Sequence, residues 1–281
     1  MTGPSGADLW ADAIARLSDA GVEDPQGDAT RLMMAALTRV LGKQVKRHHM
    51  RDHLNAEAPP ELIPAYRDMI EARTARQPVS QIIGYRSFWK HDFSVSRDTL
   101  DPRPETELLV ETALELPWDS VLDLGTGTGA ILISLLAERP AARGLGTDIS
   151  QGALSVARDN AQRIGVTAEF AVADWFDGVD GRFDLIVSNP PYIAADEMAA
   201  LSPEVREWEP RRALTDEADG LSAYRVIVAG AKAHLNPGGH VLVEIGWRQG
   251  GAVCALFEAV GAKTRILSDL DGRDRVVHAA F

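Results

Sequence analysis

The sequence lacks the features of a secreted or membrane-embedded protein. It has one cysteine, Cys254, so no internal disulfide can form, and a cytoplasmic location is expected. No apolar run approaches the ~20 residues that a membrane-spanning helix needs. The N-terminus shows no basic segment followed by an apolar core, so no secretory signal is predicted. Cys254 lies in the apolar stretch AVCALFEAV, which favours a small core residue over a nucleophile.

Positive charge is scarce in the C-terminal two-thirds of the chain. Within a net charge of −12, residues 1–90 hold 12 Lys and Arg against 11 Asp and Glu, whereas residues 91–281 hold 17 against 30. A protein that binds bare DNA usually shows the opposite sign, because phosphate neutralisation supplies most non-specific affinity. The one basic cluster, GKQVKRHHMRDH at 42–53, is interpreted as a solvated surface, with a contact to RNA or an acidic partner as the alternative.

The hydrophobic pattern changes twice along the chain. Residues 1–78 carry apolar side chains at helical spacing, which predicts a small helical domain. Residues 79–100 are rich in β-branched and aromatic side chains, which predicts a β-hairpin linker. Over residues 101–281 short apolar strands alternate with helices. This alternation predicts a mostly parallel, Rossmann-like α/β sheet covered on both faces, to which a C-terminal hairpin adds one antiparallel strand.

The first strand of this α/β region runs into a glycine loop in the stretch VLDLGTGTGAIL. The loop opens a helix directly after the strand, so its glycines permit a tight turn and a close approach of a ligand to the backbone. About twenty residues further on, Asp148 ends the second strand, where an acid accepts hydrogen bonds from ribose hydroxyls. The pattern predicts a nucleoside-containing ligand, bound by Asp148 and by the loop residues Gly125, Thr126, Gly127, Thr128 and Gly129.

Two further features favour S-adenosylmethionine over a dinucleotide. Asp123 precedes the glycine loop, where a carboxylate suits a sulfonium and an amino group better than a pyrophosphate. The third strand ends in VADWFDG, where Asp174 is expected to bond the adenine amino group and Trp175 to stack on the ring. An NAD-dependent oxidoreductase is the competing enzyme class, but no histidine or Lys/Tyr proton-transfer group follows a strand end. No metal site is predicted.

The fourth strand ends at the stretch SNPPY, on the same carboxyl edge as the glycine loop. The two prolines stop the strand and hold the Asn189 side chain and the Pro190 carbonyl toward one point. Two acceptors placed in this way suit a planar NH₂ group, which offers two N–H donors, while Tyr192 supplies a flat aromatic face. We therefore predict methylation of an amide or an exocyclic amine, with Asn189, Pro190 and Tyr192 as catalytic residues and Asn189, Pro190, Pro191 and Tyr192 as the substrate site.

The motifs DLGTGTGA, TDIS, ADWF and SNPPY together resemble those of class I S-adenosylmethionine-dependent methyltransferases. The segments QPVSQIIGYRSFW, DPRPETELLVE, EPRRALTDEADGLSAYR and NPGGHVLVEIGWRQG are more specific. With the helical N-terminal region they make the chain similar to the PrmC/HemK family of peptide chain release factor N5-glutamine methyltransferases, from about residue 10 to the end. Asp101, which stands before PRPETE, departs from the apolar residue that is common there.

The resemblance implies the substrate, which the residues alone leave open between a glutamine amide and an adenine amine. It implies methylation of the glutamine in the Gly-Gly-Gln loop of class 1 release factors, cofactor contact by Asn189, and Phe88, Arg103, Pro104 and Glu105 near the site. The helical domain of residues 1–78 is then expected to serve substrate recognition, and a monomer is expected. The alternative is an adenine-N6 nucleic-acid methyltransferase, which the acidic catalytic region disfavours. A non-enzymatic RNA-associated protein would have no need of the cofactor loop. Glu209 and Arg211 are equally open to a lid or substrate contact and to a solvated charged loop.

Overall fold

A computed structural model describes residues 3–281 of the chain. Its helices are α1 (Gly6–Asp19), α2 (Pro25–Leu41), α3 (Met50–Asn55), α4 (Leu62–Thr74), α5 (Val79–Ile83), α6 (Glu107–Glu115), α7 (Ala130–Glu138), α8 (Gln151–Ile164), α9 (Pro203–Trp208), α10 (Arg211–Leu214), α11 (Ser222–His234) and α12 (Gly250–Glu258). Its strands are β1 (Tyr85–Phe88), β2 (His91–Ser94), β3 (Ser120–Leu124), β4 (Arg143–Asp148), β5 (Glu169–Val172), β6 (Phe183–Ser188), β7 (Leu235–Glu244), β8 (Lys263–Ser268) and β9 (Asp274–Ala280). None of the helices within this range has the length and apolarity that crossing a membrane requires.

The chain forms two compact units. The helical unit comprises residues 3–84 and 203–208, and the sheet unit comprises residues 85–202 and 209–281. The chain thus contributes α9 to the helical unit in the middle of the sheet unit's sequence. Of the predicted hairpin linker, Val79–Ile83 form α5 in the helical unit, whereas the antiparallel pair β1–β2 belongs to the sheet unit.

Amphipathic helices with well-defined ends build the helical unit. Ser5 caps α1, because its hydroxyl accepts from the backbone of Asp8 while the Asp8 carboxylate accepts from the backbone of Ser5. Helix α2 begins after the capping residue Asp24, and it ends at Gly42, whose φ of 63° is the left-handed conformation that glycine adopts readily. The buried faces of α1, α2 and α4 share one apolar core, as their spacing predicts.

The sheet unit contains a seven-stranded sheet in the order β5-β4-β3-β6-β7-β9-β8. Strands β5, β4, β3, β6 and β7 run parallel to one another, and β9 pairs antiparallel with both β7 and β8. The prediction of a mostly parallel Rossmann-like sheet with one antiparallel C-terminal strand is confirmed. All of β3 is buried, as expected for a central strand with helices over both faces. The connections diverge between β3 and β6, and in such sheets ligands bind at the carboxyl edge near this point.

Candidate active site

A cavity of about 860 Å³ opens at the carboxyl edge of the parallel strands, within the sheet unit. This volume lies in the range of sites for small molecules and cofactors, roughly 300–1,000 Å³. Its lining comes from the glycine loop, the ends of β4, β5 and β6, residues 98–106, residues 210–216 and the start of α11. The cavity therefore gathers most of the predicted site: Gly125, Thr126, Gly127, Thr128, Asp148, Asp174, Trp175, Asn189, Pro190 and Pro191.

The glycine loop exposes its backbone to the cavity. Gly125 and Gly127 have φ values of 70° and 55°, and a Cβ built on either would have no atom within 4 Å. Glycine is required there for the backbone conformation, since the space itself is open. Gly129 also has a positive φ, of 79°, but it caps α7 and is not among the lining residues. Its predicted contact with the cofactor stays a prediction.

Asp148 is held rigidly at the end of β4. Its Oδ2 accepts from the Gly127 backbone N–H at 3.0 Å, and its Oδ1 accepts from the Ser150 N–H at 2.8 Å. A carboxylate oriented by two backbone donors retains lone pairs for a ligand. Asp148 lines the cavity beside Ile149, whose side chain is 53% exposed. The arrangement provides an acceptor for hydroxyl groups next to an apolar surface.

The end of β5 turns sharply into the cavity wall. Trp175 has a φ of 55°, a left-handed conformation that a non-glycine residue rarely adopts and that costs about 1–3 kcal/mol. The turn is closed by a backbone hydrogen bond of 3.0 Å from Asp177 to Asp174. Trp175 and the partly exposed Val226 of α11 both line the cavity. Together with Ile149 they form apolar surface suited to a planar ring.

The Asn-Pro-Pro segment follows β6 at the centre of this edge. The Ser188 hydroxyl donates to the Leu124 carbonyl at 2.7 Å and thereby joins the ends of β6 and β3. Asn189, Pro190 and Pro191 line the cavity directly beyond. The Asn189 Nδ2 group donates to the Thr106 hydroxyl at 3.3 Å. Within residues 3–281 no hydrogen bond uses the Asn189 Oδ1 atom.

Tyr192 lies differently from the rest of its motif. Its ring packs against the sheet-unit core and is not among the lining residues, and its hydroxyl donates to Glu244 Oε1 at 3.4 Å. Burial, with a smaller contribution from Glu244, raises the pKa of the Tyr192 phenol above its ordinary value. The Tyr192 ring is thus partly buried against the core. Its role as an aromatic face for substrate stays a prediction.

Two buried carboxylates stand behind the cavity wall. Asp123 is fully buried in β3; its Oδ2 accepts from the Thr126 hydroxyl at 2.6 Å, and its Oδ1 has no hydrogen-bond partner among residues 3–281. Glu244, the last residue of β7, accepts from the Thr106 hydroxyl at 2.5 Å. Burial raises the pKa of each carboxyl to about 7. Sequence reasoning singled out Asp123 but missed Thr106 and Glu244.

A charged pair supports the opposite wall. Arg103 lines the cavity, and its Nη2 donates to both carboxylate oxygens of Glu209 at 2.7 and 2.6 Å. Glu209 is 6% exposed, and burial raises its pKa to about 7 although Arg103 opposes the shift. Arg211 instead pairs with Glu217 at the exposed surface. Residues 210–216, which Glu209 anchors, supply a wall that sequence reasoning treated as an open question.

The residues that the family resemblance adds are only partly in the cavity. Phe88 and Arg103 line it, whereas Pro104 and Glu105 are not among the lining residues. Five aspartates stand in the lining, namely Asp98, Asp101, Asp148, Asp174 and Asp216. The arginines there are Arg103, which Glu209 neutralises, and Arg212. The cavity is therefore acidic and suits a ligand that carries positive charge.

Comparisons with known proteins match both units. The model of the PrmC N-terminal domain matches residues 8–84, and that of the methyltransferase small domain matches residues 87–203. A release factor glutamine methyltransferase of Cereibacter sphaeroides is 54% identical over 276 residues, which cover 97% of each chain. Another, of Caulobacter vibrioides, is 45% identical over 95% of this chain and 93% of its own. A crystal structure of a methyltransferase from Pyrococcus furiosus matches with a TM-score of 0.54 at 16% identity, over 76% of this chain and 96% of that one. This last likeness concerns the fold alone.

Proposed function

This chain belongs to the family of release factor glutamine methyltransferases, and from that premise we propose the reaction that its site performs. It transfers a methyl group from S-adenosylmethionine to the side-chain amide nitrogen (N5) of the glutamine in the Gly-Gly-Gln motif of class 1 peptide chain release factors. The observation that carries the proposal is the Asn189 amide at the cavity wall, whose Nδ2 is bound to Thr106 while its Oδ1 is available. A translation factor as substrate makes the cytoplasm the place of action, and we propose a monomer.

The cavity suits S-adenosylmethionine in each of its chemical parts. The apolar surface of Trp175, Ile149 and Val226 fits an adenine ring, and the oriented carboxylate of Asp148 fits the ribose hydroxyls. The unpartnered Oδ1 of the buried Asp123 favours a cationic ligand nearby. A dinucleotide fits poorly, because its pyrophosphate would bring negative charge to a lining with five aspartates.

The residues of this chain activate the substrate amide by orienting it. When bound, S-adenosylmethionine supplies an electrophilic methyl carbon on a sulfonium sulfur that keeps the electron pair of the broken bond. An amide nitrogen is a weak nucleophile because its lone pair is delocalised. Asn189 Oδ1 and the Pro190 carbonyl each accept one N–H of the substrate NH₂, so that the lone pair points toward the methyl carbon. The gain comes from placing the reacting atoms in line, and the amide proton leaves to water.

Labelled methyl transfer tests the proposal directly. The protein is incubated with methyl-labelled S-adenosylmethionine and a class 1 release factor, the same factor with its loop glutamine changed to alanine, or double- and single-stranded DNA. We expect label on the unchanged factor alone. Label on DNA would favour the adenine-N6 alternative, and label that persists on the alanine variant would refute the assignment of the glutamine.

A further inference from the structure

Glu244 is a buried acid that reaches the cavity only through other residues. It is 1% exposed, is not among the lining residues, and forms no salt bridge within residues 3–281. Burying a carboxylate without a paired cation is costly. Its two oxygens contact the hydroxyls of Thr106, at 2.5 Å, and Tyr192, at 3.4 Å. Both hydroxyls lead to the Asn-Pro-Pro-Tyr segment, so the site around that segment is where a role for Glu244 has to be sought.

The hydrogen bonds around Thr106 have only one consistent direction when Glu244 is ionised. A carboxylate only accepts, so Thr106 uses its single hydroxyl proton to donate to Glu244. The Thr106 oxygen can then only accept, and the group that faces it must be the NH₂ end of Asn189. The carbonyl end of Asn189 is consequently turned away from Thr106. With the opposite orientation, Asn189 would present its NH₂ group to the NH₂ group of the substrate. Two hydrogen-bond donors would then face each other, and no hydrogen bond would form.

From this geometry we infer that Glu244 is a positioning residue for methyl transfer: through Thr106 it fixes the Asn189 amide so that Oδ1 faces the substrate nitrogen. The inference rests on the proposed function for the identity of that nitrogen, but the orientation of Asn189 is a property of the protein alone. Neither Glu244 nor Thr106 was singled out by the sequence, because their roles depend on contacts between residues 83 and 138 positions apart.

The residues that follow the end of β7 also hold Tyr192, the last residue of the Asn-Pro-Pro-Tyr segment. Gln249 Nε2 donates to the Tyr192 carbonyl at 2.9 Å and to the Gly220 carbonyl at 3.2 Å, while its Oε1 accepts from the Gly246 N–H at 3.0 Å. Gly220 has a φ of 73°, and a Cβ there would lie 2.3 Å from the Tyr192 carbonyl oxygen. Residues 244–249 thus support Asn189 through Thr106 and Tyr192 through Gln249, which leaves the segment between them little freedom.

Protonation of Glu244 would remove the fixed direction. Burial raises its pKa to about 7, and the charged or titratable groups around it are Arg275 of β9, which lowers the pKa, Glu105, which raises it, and Tyr192. A protonated Glu244 can donate to Thr106, whose own proton is then free to donate to the Asn189 carbonyl. We therefore expect the ionised form to be the active one and the orientation of Asn189 to be lost as the pH falls below about 7.

The orientation can be measured without any substrate or cofactor. The side-chain NH₂ signal of Asn189 is followed by NMR in ¹⁵N-asparagine-labelled protein and identified by its loss in Asn189→Ala. In the wild type we expect it to titrate with a midpoint near 7. In Glu244→Gln the titration should vanish, in Thr106→Val the signal should move, and in Thr106→Ser it should match the wild type. A signal that ignores pH, or that titrates equally in Glu244→Gln, would overturn the inference.

Kinetics with the release factor separate positioning from general stability. Glu244→Gln and Thr106→Val should lower kcat about 100-fold, the usual cost of a misplaced reacting group, with the Kd for S-adenosylmethionine and the KM for the factor unchanged. Thr106→Ser should restore kcat. The matched control is Thr112→Val, the same substitution at a buried position of α6 that is outside the site, and it should retain full activity. Equal losses in the control and in Thr106→Val would refute a positioning role.

The NMR experiment and the kinetic experiment can fail independently of each other. A wild-type protein that transfers no methyl group to release factors, but whose Asn189 signal behaves as expected, would refute the proposed function and leave the arrangement of Asn189 intact. A wild type that methylates the factor, with unchanged kcat in Glu244→Gln and Thr106→Val, would leave the function standing and refute the role of Glu244.

Discussion

Buried acidic side chains have arginine partners in the helical unit, whereas in the sheet unit Glu209 pairs with Arg103 and two others have only hydroxyl partners. In the helical unit, Arg73 donates to Asp28 at 2.7 Å and to Glu204 at 2.8 Å, and Arg76 binds both oxygens of Glu204. Burial alone would raise the pKa of Glu204, but the two arginines lower it to about 2. In the sheet unit, Asp123 and Glu244 are buried with hydroxyl partners, and burial raises their pKa values to about 7.

The comparison distinguishes carboxylates whose ion pairs stabilise the fold from carboxylates that belong to the candidate active site. A carboxylate with two arginine partners is satisfied and gains nothing from a further ligand. A buried carboxylate with an unpartnered oxygen, such as Asp123, costs stability in the ligand-free protein, and a cation bound nearby would offset part of that cost. Perturbed pKa values of this kind concentrate at functional sites. In this molecule they surround the cavity, whereas the helical unit holds a paired network.

The largest effect that we expect comes from Asn189→Ala. Removing Oδ1 deletes an acceptor that acts on the substrate in the transition state, so kcat should fall about 10²–10³-fold, while binding of S-adenosylmethionine weakens modestly. The melting temperature should hardly change, because Asn189 makes one long hydrogen bond. Single-turnover methyl transfer measures the loss of rate, and calorimetric titration measures the affinity for S-adenosylmethionine. Near-normal turnover would remove Asn189 from the mechanism and erase the distinction between the units.

The next effect concerns stability in the helical unit. Arg73→Met removes the buried partner of Asp28 and leaves it only the largely exposed Arg31, and breaking a buried pair costs about 3–5 kcal/mol. Arg67→Met, in the same helix at an exposed position, is the matched control and should stay within about 0.5 kcal/mol of the wild type. Hydrogen exchange in α2 and α4, measured during urea unfolding, gives the free energy of unfolding of the helical unit. Equal free energies of unfolding in the two variants would mean that the ion pairs of Arg73 do not stabilise the helical unit.

Much of the fold was predictable from the sequence because its causes are local. Apolar runs of strand length, each followed by a helical pattern, indicated a parallel sheet, and the pattern at the C-terminus indicated the hairpin that places β9 antiparallel. Helix α9 was not predictable as a part of the helical unit. Its attachment depends on Glu204, which meets Arg73 and Arg76 across 131 and 128 positions of sequence, and no local pattern encodes such a pair.

The candidate site also has a part that could be predicted from local sequence and a part that could not. The glycine loop, Asp148 and Asn189 follow strand ends, and topology alone brings strand ends to one edge. Thr106 and Glu244 escaped notice because one stands in a short turn and the other reads as an ordinary strand residue. Tyr192 was predicted to offer an aromatic face to the substrate, and this stays a prediction. Its ring packs on the core, and its carbonyl lies against Gln249 and Gly220.

A smaller effect, opposite in sign in the two units, is expected when a carboxylate is neutralised. Asp123→Asn at pH 8 should raise the melting temperature of the ligand-free protein, because it removes a buried charge that is then ionised. It should weaken S-adenosylmethionine binding on the order of tenfold, or ~1.4 kcal/mol. Asp28→Asn should lower the melting temperature, because the buried Arg73 loses one of its two carboxylate partners. Thermal scans with and without ligand measure both, and destabilisation by both substitutions would contradict the comparison.

The smallest effect is the response of each unit to acid. Glu204 has a depressed pKa of about 2 against an ordinary 4.5, so its stabilising contribution is present above pH 4.5 and is lost between 4.5 and 2. Asp123 and Glu244 have raised values of about 7, so their contribution is largest below their ordinary values of 3.8 and 4.5 and is lost as the pH rises through 7. Between pH 8 and 5 the ligand-free sheet unit should therefore gain stability while the helical unit is unchanged. Hydrogen exchange in β3 and α4, corrected for intrinsic rates, follows the two units separately. Glu204→Gln should abolish the acid loss in α4 alone, and a parallel response of β3 and α4 in the wild type would show that the two kinds of buried carboxylate do not differ.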